Sequence, residues 1–203
     1  MTSIPNAIII IPTLDKELGQ STMVNARATA DYPTKGIVVW DEHERGFTAT
    51  INEGLKDVLP DEYIVILNDD VYGFPYGWLR LLIETFSVDP TYGIVGPSGK
   101  CASSTQQGTI GGSGFVSVGM LPFWCVVVRP DVFEQLGLLD YELIHYSSDT
   151  WYCYLARNHG WKLIWNRYVY LWHTHKGSGF RRAWRTRDYE TFSRKITSLR
   201  EQR

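Results

Sequence analysis

The sequence predicts an α/β protein built on a parallel sheet, from the order of its apolar segments. Three short runs rich in Ile and Val each end in a polar residue, at 6–13, 36–41 and 63–68. Continuous apolar runs of this length are typical of strands buried on both faces of a parallel sheet. Residues 21–30 and 47–59 lie between these runs and have apolar residues at helical spacing. Strands that alternate with helices form βαβ units, so we expect ligands at the carboxyl ends of the strands.

The second half of the chain continues the alternation with shorter elements. Helices are predicted over residues 76–86, 131–136 and 149–159, and strands over residues 93–97, 123–128, 161–165 and 168–172. Residues 98–119 are rich in Gly, Ser, Thr and Gln and are predicted to form a loop or hairpin. Because no linker interrupts the pattern, we expect residues 1–203 to form one domain.

The composition is that of an ordinary folded protein. The chain has 203 residues, of which 44% are hydrophobic and 21% are charged, and its net charge is −2. A nucleic-acid-binding role that depends on a basic surface is therefore disfavoured. Three cysteines without CxxC spacing argue against a disulfide framework and against a zinc knuckle. Since the sequence has no signal-peptide pattern and no apolar run near the roughly 20 residues of a membrane helix, it predicts a cytoplasmic protein.

The carboxyl-terminal segment, residues 181–203, differs in charge from the rest of the chain. It has eight basic and three acidic residues, a net charge of +5. Four apolar residues recur in it at helical spacing: Tyr189, Phe192, Ile196 and Leu199. We predict a basic amphipathic helix whose apolar stripe packs on the domain. Peripheral contact with an anionic membrane is the second interpretation.

Two common nucleotide-binding motifs are excluded. Residues 93–101 look like a phosphate-binding loop, but Ile94 stands where that motif needs Gly and Cys101 stands where it needs Ser or Thr. Residues 112–117 begin like a dinucleotide fingerprint but lack its third glycine, and they do not follow the first strand. A nucleotide must therefore be bound by another kind of site.

The strongest single feature is the sequence Asn68-Asp69-Asp70 at the end of the third predicted strand. Adjacent carboxylates repel each other, which makes them an unusual choice for a purely structural position. They suit a hard divalent cation that bridges to a diphosphate. The alternative is a turn rich in Asn and Asp, which commonly ends a strand.

This motif is one of five patterns that follow each other along the chain, at residues 45–55, 68–70, 128–140, 146–149 and 160–173. Together they resemble inverting family-two glycosyltransferases with the GT-A fold. In that family the corresponding patterns are a Gly-Phe-Ala-x-Ala-x-Asn-x-Gly helix, a DxD-type element, a stretch ending in Gly-x-Phe-Asp, a Glu-Asp helix and a closing His strand. The resemblance covers residues 6–178. It implies a Rossmann-like mixed sheet flanked by helices, with a donor-binding half over about 1–100 and an acceptor-binding catalytic half over about 119–180.

The resemblance also implies a role for the polar residues near the strand ends. It assigns the metal, Mn²⁺ or Mg²⁺, to Asp70 and His173. Counting from Ser178, which matches the family's serine, favours His173 over His175. It assigns donor and cofactor binding to five residues: Thr13, Asp41, Asn52, Asn68 and Asp69. Considered without the resemblance, the first two of these are equally compatible with turn formation.

Asp149 is implied to be the general base that takes the proton from the acceptor hydroxyl. Considered without the resemblance, Asp149 is an N-cap or first-turn acid of the helix that follows it. The family has Glu where this chain has Ser148, and commonly a second acid where this chain has Trp151. These two departures leave the tuning of the pKa of the base open.

The sequence therefore predicts a metal-dependent inverting glycosyltransferase of hexosyltransferase type. It would move a sugar from a nucleoside-diphosphate donor to a hydroxyl of a carbohydrate, lipid-linked or protein acceptor, with residues 98–119 ordering over the bound donor. Two alternatives stay open. A sugar-1-phosphate nucleotidyltransferase needs a basic, Gly-rich loop after the first strand, where this chain has residues 12–16. A non-catalytic nucleotide- or carbohydrate-binding protein on the same scaffold would account for Ser148 and Trp151.

Overall fold

The computed structural model describes residues 6–100, 113–174 and 182–201. Within these ranges the chain forms eight strands: β1 Ala7–Thr13, β2 Thr34–Trp40, β3 Tyr63–Leu67, β4 Val71–Tyr72, β5 Tyr92–Lys100, β6 Phe115–Val118, β7 Cys125–Val128 and β8 Lys162–His173. It also forms six α-helices: α1 Lys16–Ala28, α2 Phe47–Leu55, α3 Trp78–Glu84, α4 Pro130–Leu136, α5 Ser148–Asn158 and α6 Arg182–Glu201. A 3₁₀ turn, Thr85–Ser87, follows α3.

The strands form one mixed sheet in the order β2-β1-β3-β7-β5-β8-β4, and β6 pairs with β8 beside this path. Strand β1 is parallel to both β2 and β3, and β5 is parallel to β8. Strand β7 is antiparallel to both of its neighbours. The antiparallel β7 joins the parallel β1–β3 unit to the second half of the sheet. This arrangement confirms the predicted α/β class and the mixed sheet flanked by helices.

The two faces of the sheet are buried in two separate apolar layers. In β1, Ile9 and Ile11 face the layer formed with α1 and α3, while Ile8 and Ile10 face the layer formed with α2, α4 and α5. All four side chains are fully buried, which contributes about 1.5–3 kcal/mol for each. Trp78 lies in the first layer and donates its indole N–H to the carbonyl of Ala26 at 2.9 Å, which holds α3 against α1. The continuous apolar run of β1 is thus explained by burial on both faces.

Two strand predictions in the second half need correction. Residues 161–165 and 168–172 are predicted as separate strands, but residues 162–173 form the single twelve-residue strand β8. No strand is predicted over Val71 and Tyr72, but they form β4 and pair with His173 and Trp172 of β8. Local periodicity does not predict β4, because a two-residue strand is defined by a partner about 100 positions away in the chain.

Helix α6 packs on the loop before α5 and on α5 itself. The ring of Phe192 meets Trp151 edge-on at 6.3 Å, and Lys195 pairs with Asp140 at 2.8 Å and with Glu142. The prediction that the tail helix docks on the domain is confirmed. Its predicted apolar stripe needs one correction, because Tyr189 is 67% exposed.

The inward face of α6 is instead centred on a carboxylate, since Asp188 is fully buried. None of the described helices combines the length and the apolar character that spanning a bilayer requires.

Candidate active site

The carboxyl ends of β1, β2 and β3 meet at one edge of the sheet, as expected. The backbone N–H of Asp41 donates to the carbonyl of Thr13 at 2.8 Å, which joins the ends of β2 and β1. The hydroxyl of Thr13 is 2.6 Å from Oδ2 of Asp69, which joins the ends of β1 and β3. Three of the predicted site residues therefore lie together.

Asp69 is held by hydrogen bonds from β1 and from α1. Its backbone carbonyl accepts a 2.5 Å hydrogen bond from the hydroxyl of Thr22 on α1, in addition to the side-chain bond from Thr13. Burial raises the pKa of Asp69; the Thr13 hydrogen bond opposes this rise, and the adjacent charge of Asp70 adds to it. Asp69 therefore connects the first and third strands and carries its charge less readily than an exposed carboxyl.

The side chain of Asp70 faces β8. Its Oδ1 lies 2.9 Å from Nε2 of His173, and both side chains are largely buried. Its backbone carbonyl accepts from the N–H of Thr174 at 3.2 Å and from the Thr174 hydroxyl at 3.1 Å. The pairing of β4 with β8 thus brings together the two residues that the sequence assigns to the metal.

The Asp70–His173 pair fits a divalent cation in its donor chemistry. Carboxylate oxygen and imidazole nitrogen are both ligands for first-row divalent ions. The described residues include no group of three or more His, Cys, Asp or Glu side chains arranged to hold a metal. An ion at this pair would therefore need further oxygen ligands, which a diphosphate can supply.

Two consecutive residues before β7, Phe123 and Trp124, connect this edge to the start of α5. The carbonyl of Trp124 accepts from the N–H of Asn68 at 2.8 Å, and its indole stacks on the ring of His173 at 5.3 Å with planes 12° apart. The backbone N–H of Phe123 lies near the carboxylate of Asp149 and favours its charged form. The 123–124 segment therefore approaches both Asp149 and His173.

Asp149 lies in the first turn of α5 and is partly exposed. Its Oδ1 accepts from the backbone N–H of Thr150 at 2.6 Å and from the Thr150 hydroxyl at 3.2 Å. Burial raises the pKa of Asp149, and these hydrogen bonds together with that from Phe123 oppose the rise. The N-cap position belongs to Ser147, so the N-cap interpretation of Asp149 does not hold. A carboxylate with a raised pKa is suited to accept a proton.

Asp41 accepts the hydrogen bonds that hold the loop between β2 and α2. Its Oδ1 accepts from the backbone N–H of Arg45 at 3.0 Å and from its Nε at 3.1 Å, and its Oδ2 accepts from the N–H of Gly46 at 2.9 Å. Burial disfavours the charge of Asp41, but these hydrogen bonds outweigh burial and lower its pKa. The turn-forming role is therefore observed, and recognition of a nucleotide base by Asp41 stays a prediction.

The assignment of Asn52 to cofactor binding needs correction. Asn52 is fully buried on α2. Its Nδ2 donates to the carbonyl of Leu139 at 2.8 Å, and its Oδ1 accepts from the N–H of Leu139 at 2.9 Å. Because its side-chain amide both donates to and accepts from Leu139, Asn52 connects α2 to the segment after α4. The amide therefore has no group left to bind a cofactor.

A cavity of about 550 Å³ opens beside the amino-terminal end of α5. Its walls come from the loop before α5 and from α6: Tyr146, Ser147, Arg185, Thr186 and Tyr189. The sequence did not indicate this cavity, because its two walls are nearly 40 positions apart in the chain.

Other predicted features fall outside the described residues. These are His175 and most of the loop expected to order over the donor, at residues 101–112. Sequence reasoning also missed Thr174 and Trp124, whose roles depend on the β4–β8 pairing and on the end of β3. No local sequence pattern predicts that the indole of Trp124 stacks on a distant ring or that its carbonyl accepts a particular hydrogen bond.

Two solved structures are similar to this chain. Mannosyltransferase PcManGT from Pyrobaculum calidifontis, in complex with GDP-Man and Mn²⁺, has 16% identity and a TM-score of 0.67 over 92% of this chain. GalNAc-T7 with UDP, GalNAc and Mn²⁺ has 11% identity and a TM-score of 0.64 over 85% of this chain. The chain spans 61% and 44% of the lengths of these two structures, respectively. A scan against protein-family models and a search of curated proteins gave no match.

At these identities the likeness establishes the fold. The chain adopts the GT-A fold, with the mixed sheet and flanking helices seen in glycosyltransferases bound to nucleotides or nucleotide sugars. A shared fold does not fix an activity, which has to be argued from the site.

Proposed function

We propose that this protein is a metal-dependent inverting glycosyltransferase of the family-two type. It transfers a hexosyl group from a nucleoside-diphosphate donor to an acceptor hydroxyl. The observation that carries the proposal is the Phe123-Trp124 segment: the Trp124 indole stacks on His173 of the Asp70–His173 pair, and the Phe123 backbone lies near Asp149, a carboxylate with a raised pKa. Single-displacement transfer needs a proton acceptor and a diphosphate-binding group on opposite sides of one carbon atom, and we assign these roles to Asp149 and to the Asp70–His173 pair.

Asp149 is the general base in this mechanism. The acceptor oxygen forms a bond to the anomeric carbon as the bond from that carbon to the donor phosphate oxygen breaks. The proton of the acceptor hydroxyl moves to the carboxylate of Asp149, and the nucleoside diphosphate leaves. Hydrogen bonds from the backbone N–H and the hydroxyl of Thr150 hold the carboxylate in place. The acceptor occupies the cavity between the loop before α5 and α6.

The diphosphate lies at the other side, over Asp70 and His173. When bound there, Mn²⁺ or Mg²⁺ supplies positive charge that neutralises the leaving diphosphate. Asp70 holds its carboxylate toward His173 because Thr174 fixes its backbone. Trp124 stacks on His173 and fixes the plane of the imidazole. Thr13, Asn68 and Asp69 line the adjoining strand ends, where the donor half of the site, about residues 1–100, contacts the nucleotide.

The chain's departures from the family pattern have structural reasons here. Trp151, at the position of the second acid, is buried against Phe192 and lies beneath Lys195 at 5.6 Å from its Nζ. Ser148 is also buried. Trp151 packs α5 against α6 rather than tuning the base, so the pKa of Asp149 is raised by burial against the opposing hydrogen bonds.

A transfer assay with separate binding measurements tests the proposal. The parent is incubated with UDP-GalNAc or GDP-mannose, Mn²⁺ and a panel of oligosaccharide acceptors, and product anomers are assigned by NMR. Transfer with inversion supports the proposal; transfer with retention removes Asp149 as the base of a single displacement. Donor binding in calorimetry without transfer or hydrolysis indicates the non-catalytic alternative. Release of pyrophosphate from a nucleoside triphosphate and a sugar 1-phosphate indicates the nucleotidyltransferase.

A further inference from the structure

One acidic residue of α6 is buried against the loop before α5. Asp188 on α6 is 0% exposed. Its Oδ1 accepts from the backbone N–H of Ile144 at 3.0 Å, and its Oδ2 accepts from those of His145 and Tyr146, each at 2.8 Å. Successive backbone N–H groups that point to one centre form an anion-binding nest. Here the anion is supplied by the chain's own carboxylate.

The loop held by Asp188 is fixed from the opposite side by α2. The N–H of Thr48 donates to the carbonyl of Ile144 at 3.1 Å, and the Thr48 hydroxyl donates to the carbonyl of Leu143. The N–H of Phe47 approaches Nδ1 of His145 at 3.4 Å. Thr48 of α2 therefore donates to the carbonyl groups of the loop, while the N–H groups of the loop donate to Asp188. The loop is clamped between two helices that are far apart in the sequence.

This clamped loop leads directly into the proposed base. Ser147, one residue beyond the nest, has a φ of 62° and is the N-cap of α5 without a side-chain capping bond. A left-handed conformation is unfavourable for a serine and persists where the surrounding structure imposes it. Asp149 follows two residues later. Tyr146 and Ser147 also form one wall of the acceptor cavity, and the residues beside Asp188 form the other.

We propose that Asp188 is a positioning residue, which fixes the loop before α5 and thereby sets the place of Asp149 and of the acceptor wall. This inference rests on the proposed function. It makes the carboxyl-terminal helix a component of the acceptor side of the site, in addition to its packing role. Asp188 touches neither the donor nor the reacting atoms.

The carboxylate cannot be replaced by an amide without loss. Both oxygens of Asp188 are used, and an asparagine offers one oxygen and an NH₂ group. In either orientation of Asn, at least one N–H of the loop faces another donor. Asp188→Asn therefore loosens the loop while it preserves the size of the side chain.

The test compares three variants of the full chain. Asp188→Asn is the test variant. Glu190→Gln removes the same charge from an exposed position of α6. Lys195→Met removes the pair with Asp140 and weakens helix docking away from the nest. Turnover, acceptor KM, donor affinity, Tm and hydrogen exchange of the amides at residues 144–146 are measured on the same preparations.

We expect Asp188→Asn to speed amide exchange at residues 144–146 and to lower turnover on the order of tenfold to a hundredfold, with acceptor KM raised and donor affinity unchanged. Glu190→Gln should match the parent, and Lys195→Met should lower Tm while turnover per folded molecule is kept. Parental turnover in Asp188→Asn overturns the positioning role. So does a turnover loss that simply follows Tm in both Asp188→Asn and Lys195→Met. A parent that transfers no sugar under any condition instead overturns the proposed function.

Discussion

The carboxylates around the site differ in the groups that donate to them. Asp41 has a lowered pKa because three N–H donors of Arg45 and Gly46 outweigh its burial. Asp69 and Asp149 have raised pKa values because burial outweighs their hydrogen bonds. The same residue type therefore serves as a loop anchor at one position and as a candidate base at another.

The first prediction concerns Asp149→Asn. General-base catalysis contributes about 10²- to 10⁴-fold in rate, so turnover should fall by that factor while Mn²⁺-dependent donor affinity is kept. The measurement is steady-state transfer beside calorimetric titration of the donor. Near-parental turnover would contradict the assignment of the base.

The raised pKa of Asp149 also sets the sign of two pH effects. Turnover requires the ionised carboxylate, so the acidic limb of the pH profile should lie above the ordinary Asp value of about 3.9. A raised folded-state pKa means that stability from this group is present at low pH and is lost as pH rises through that pKa. Asp149→Asn should therefore not lower Tm at pH 7, whereas a purely structural first-turn acid predicts a small loss.

A second prediction concerns the metal. Asp70→Asn replaces a charged ligand next to His173 by a neutral amide, which binds a hard dication poorly. We expect the Mn²⁺-dependent part of nucleoside diphosphate binding to disappear in calorimetry, with the fold unchanged by circular dichroism. Asp61→Asn, at an exposed position near the start of β3, is the matched control. Equal Mn²⁺-dependent affinity in both variants would remove Asp70 from the metal site.

At the scale of elements, the main features are the β4–β8 pair and the docked α6. Two residues of β4 place Asp70 opposite His173, and one helical face of α6 places Asp188, Phe192 and Lys195 against α5 and the segment before it. The tail is therefore not an independent surface segment. Much of its positive charge remains on the outward face, as the sequence predicts.

The third prediction tests this docking with two aromatic residues of α6. Phe192 is half-buried against Trp151, whereas Tyr189 is 67% exposed. A fully buried Phe→Ala change costs about 3–5 kcal/mol, so about 1–2 kcal/mol is expected at Phe192. For a chain of this length that lowers Tm by about 2–8 °C. Phe192→Ala should show this loss in thermal denaturation and Tyr189→Ala should not; equal Tm values would contradict docking through Phe192.

At the scale of the whole molecule, one mixed sheet carries both halves of the proposed reaction. The parallel strands β1–β3 bring Thr13, Asp41 and the 68–70 segment to one edge. The antiparallel β7 then returns the chain so that Phe123 and Trp124 lie beside that edge. The proposed donor binding and the proposed proton transfer would therefore depend on the same folded unit.

A fourth prediction follows for the stability of the whole chain. A nucleoside diphosphate with Mn²⁺ that binds only the folded protein stabilises it by about 2.7 kcal/mol at a concentration 100 times its Kd. At this chain length Tm should rise by about 5–11 °C. Thermal denaturation with UDP or GDP, with and without Mn²⁺, measures this shift. A shift of the same size without the metal would contradict metal-dependent binding.

The local features of the sequence predict most of the framework. The apolar runs of β1, β2 and β3 and the helices α2, α4 and α5 lie within a few residues of their predicted bounds. The strand-end residues Asp69 and Asp70 were found because polar residues that directly follow a buried strand lie at the ligand-binding edge of an α/β sheet. Asn52 was assigned to the same site through its motif, although its buried amide serves Leu139.

The amino-acid sequence is enough to predict the alternation of strands and helices and the edge of the sheet at which the polar residues collect, because burial imposes a period that can be read locally. Local patterns do not predict which groups meet once the chain has folded: the carboxylate of Asp70 with His173, which only the family resemblance brings together, Asp149 with the backbone of Phe123, and Asp188 with residues 144–146. The partners in these contacts are between 26 and 103 positions apart in the chain. Periodicity encodes whether a side chain is buried, whereas a hydrogen bond requires a particular distance and direction between two groups, and these arise only when the sheet and helices pack.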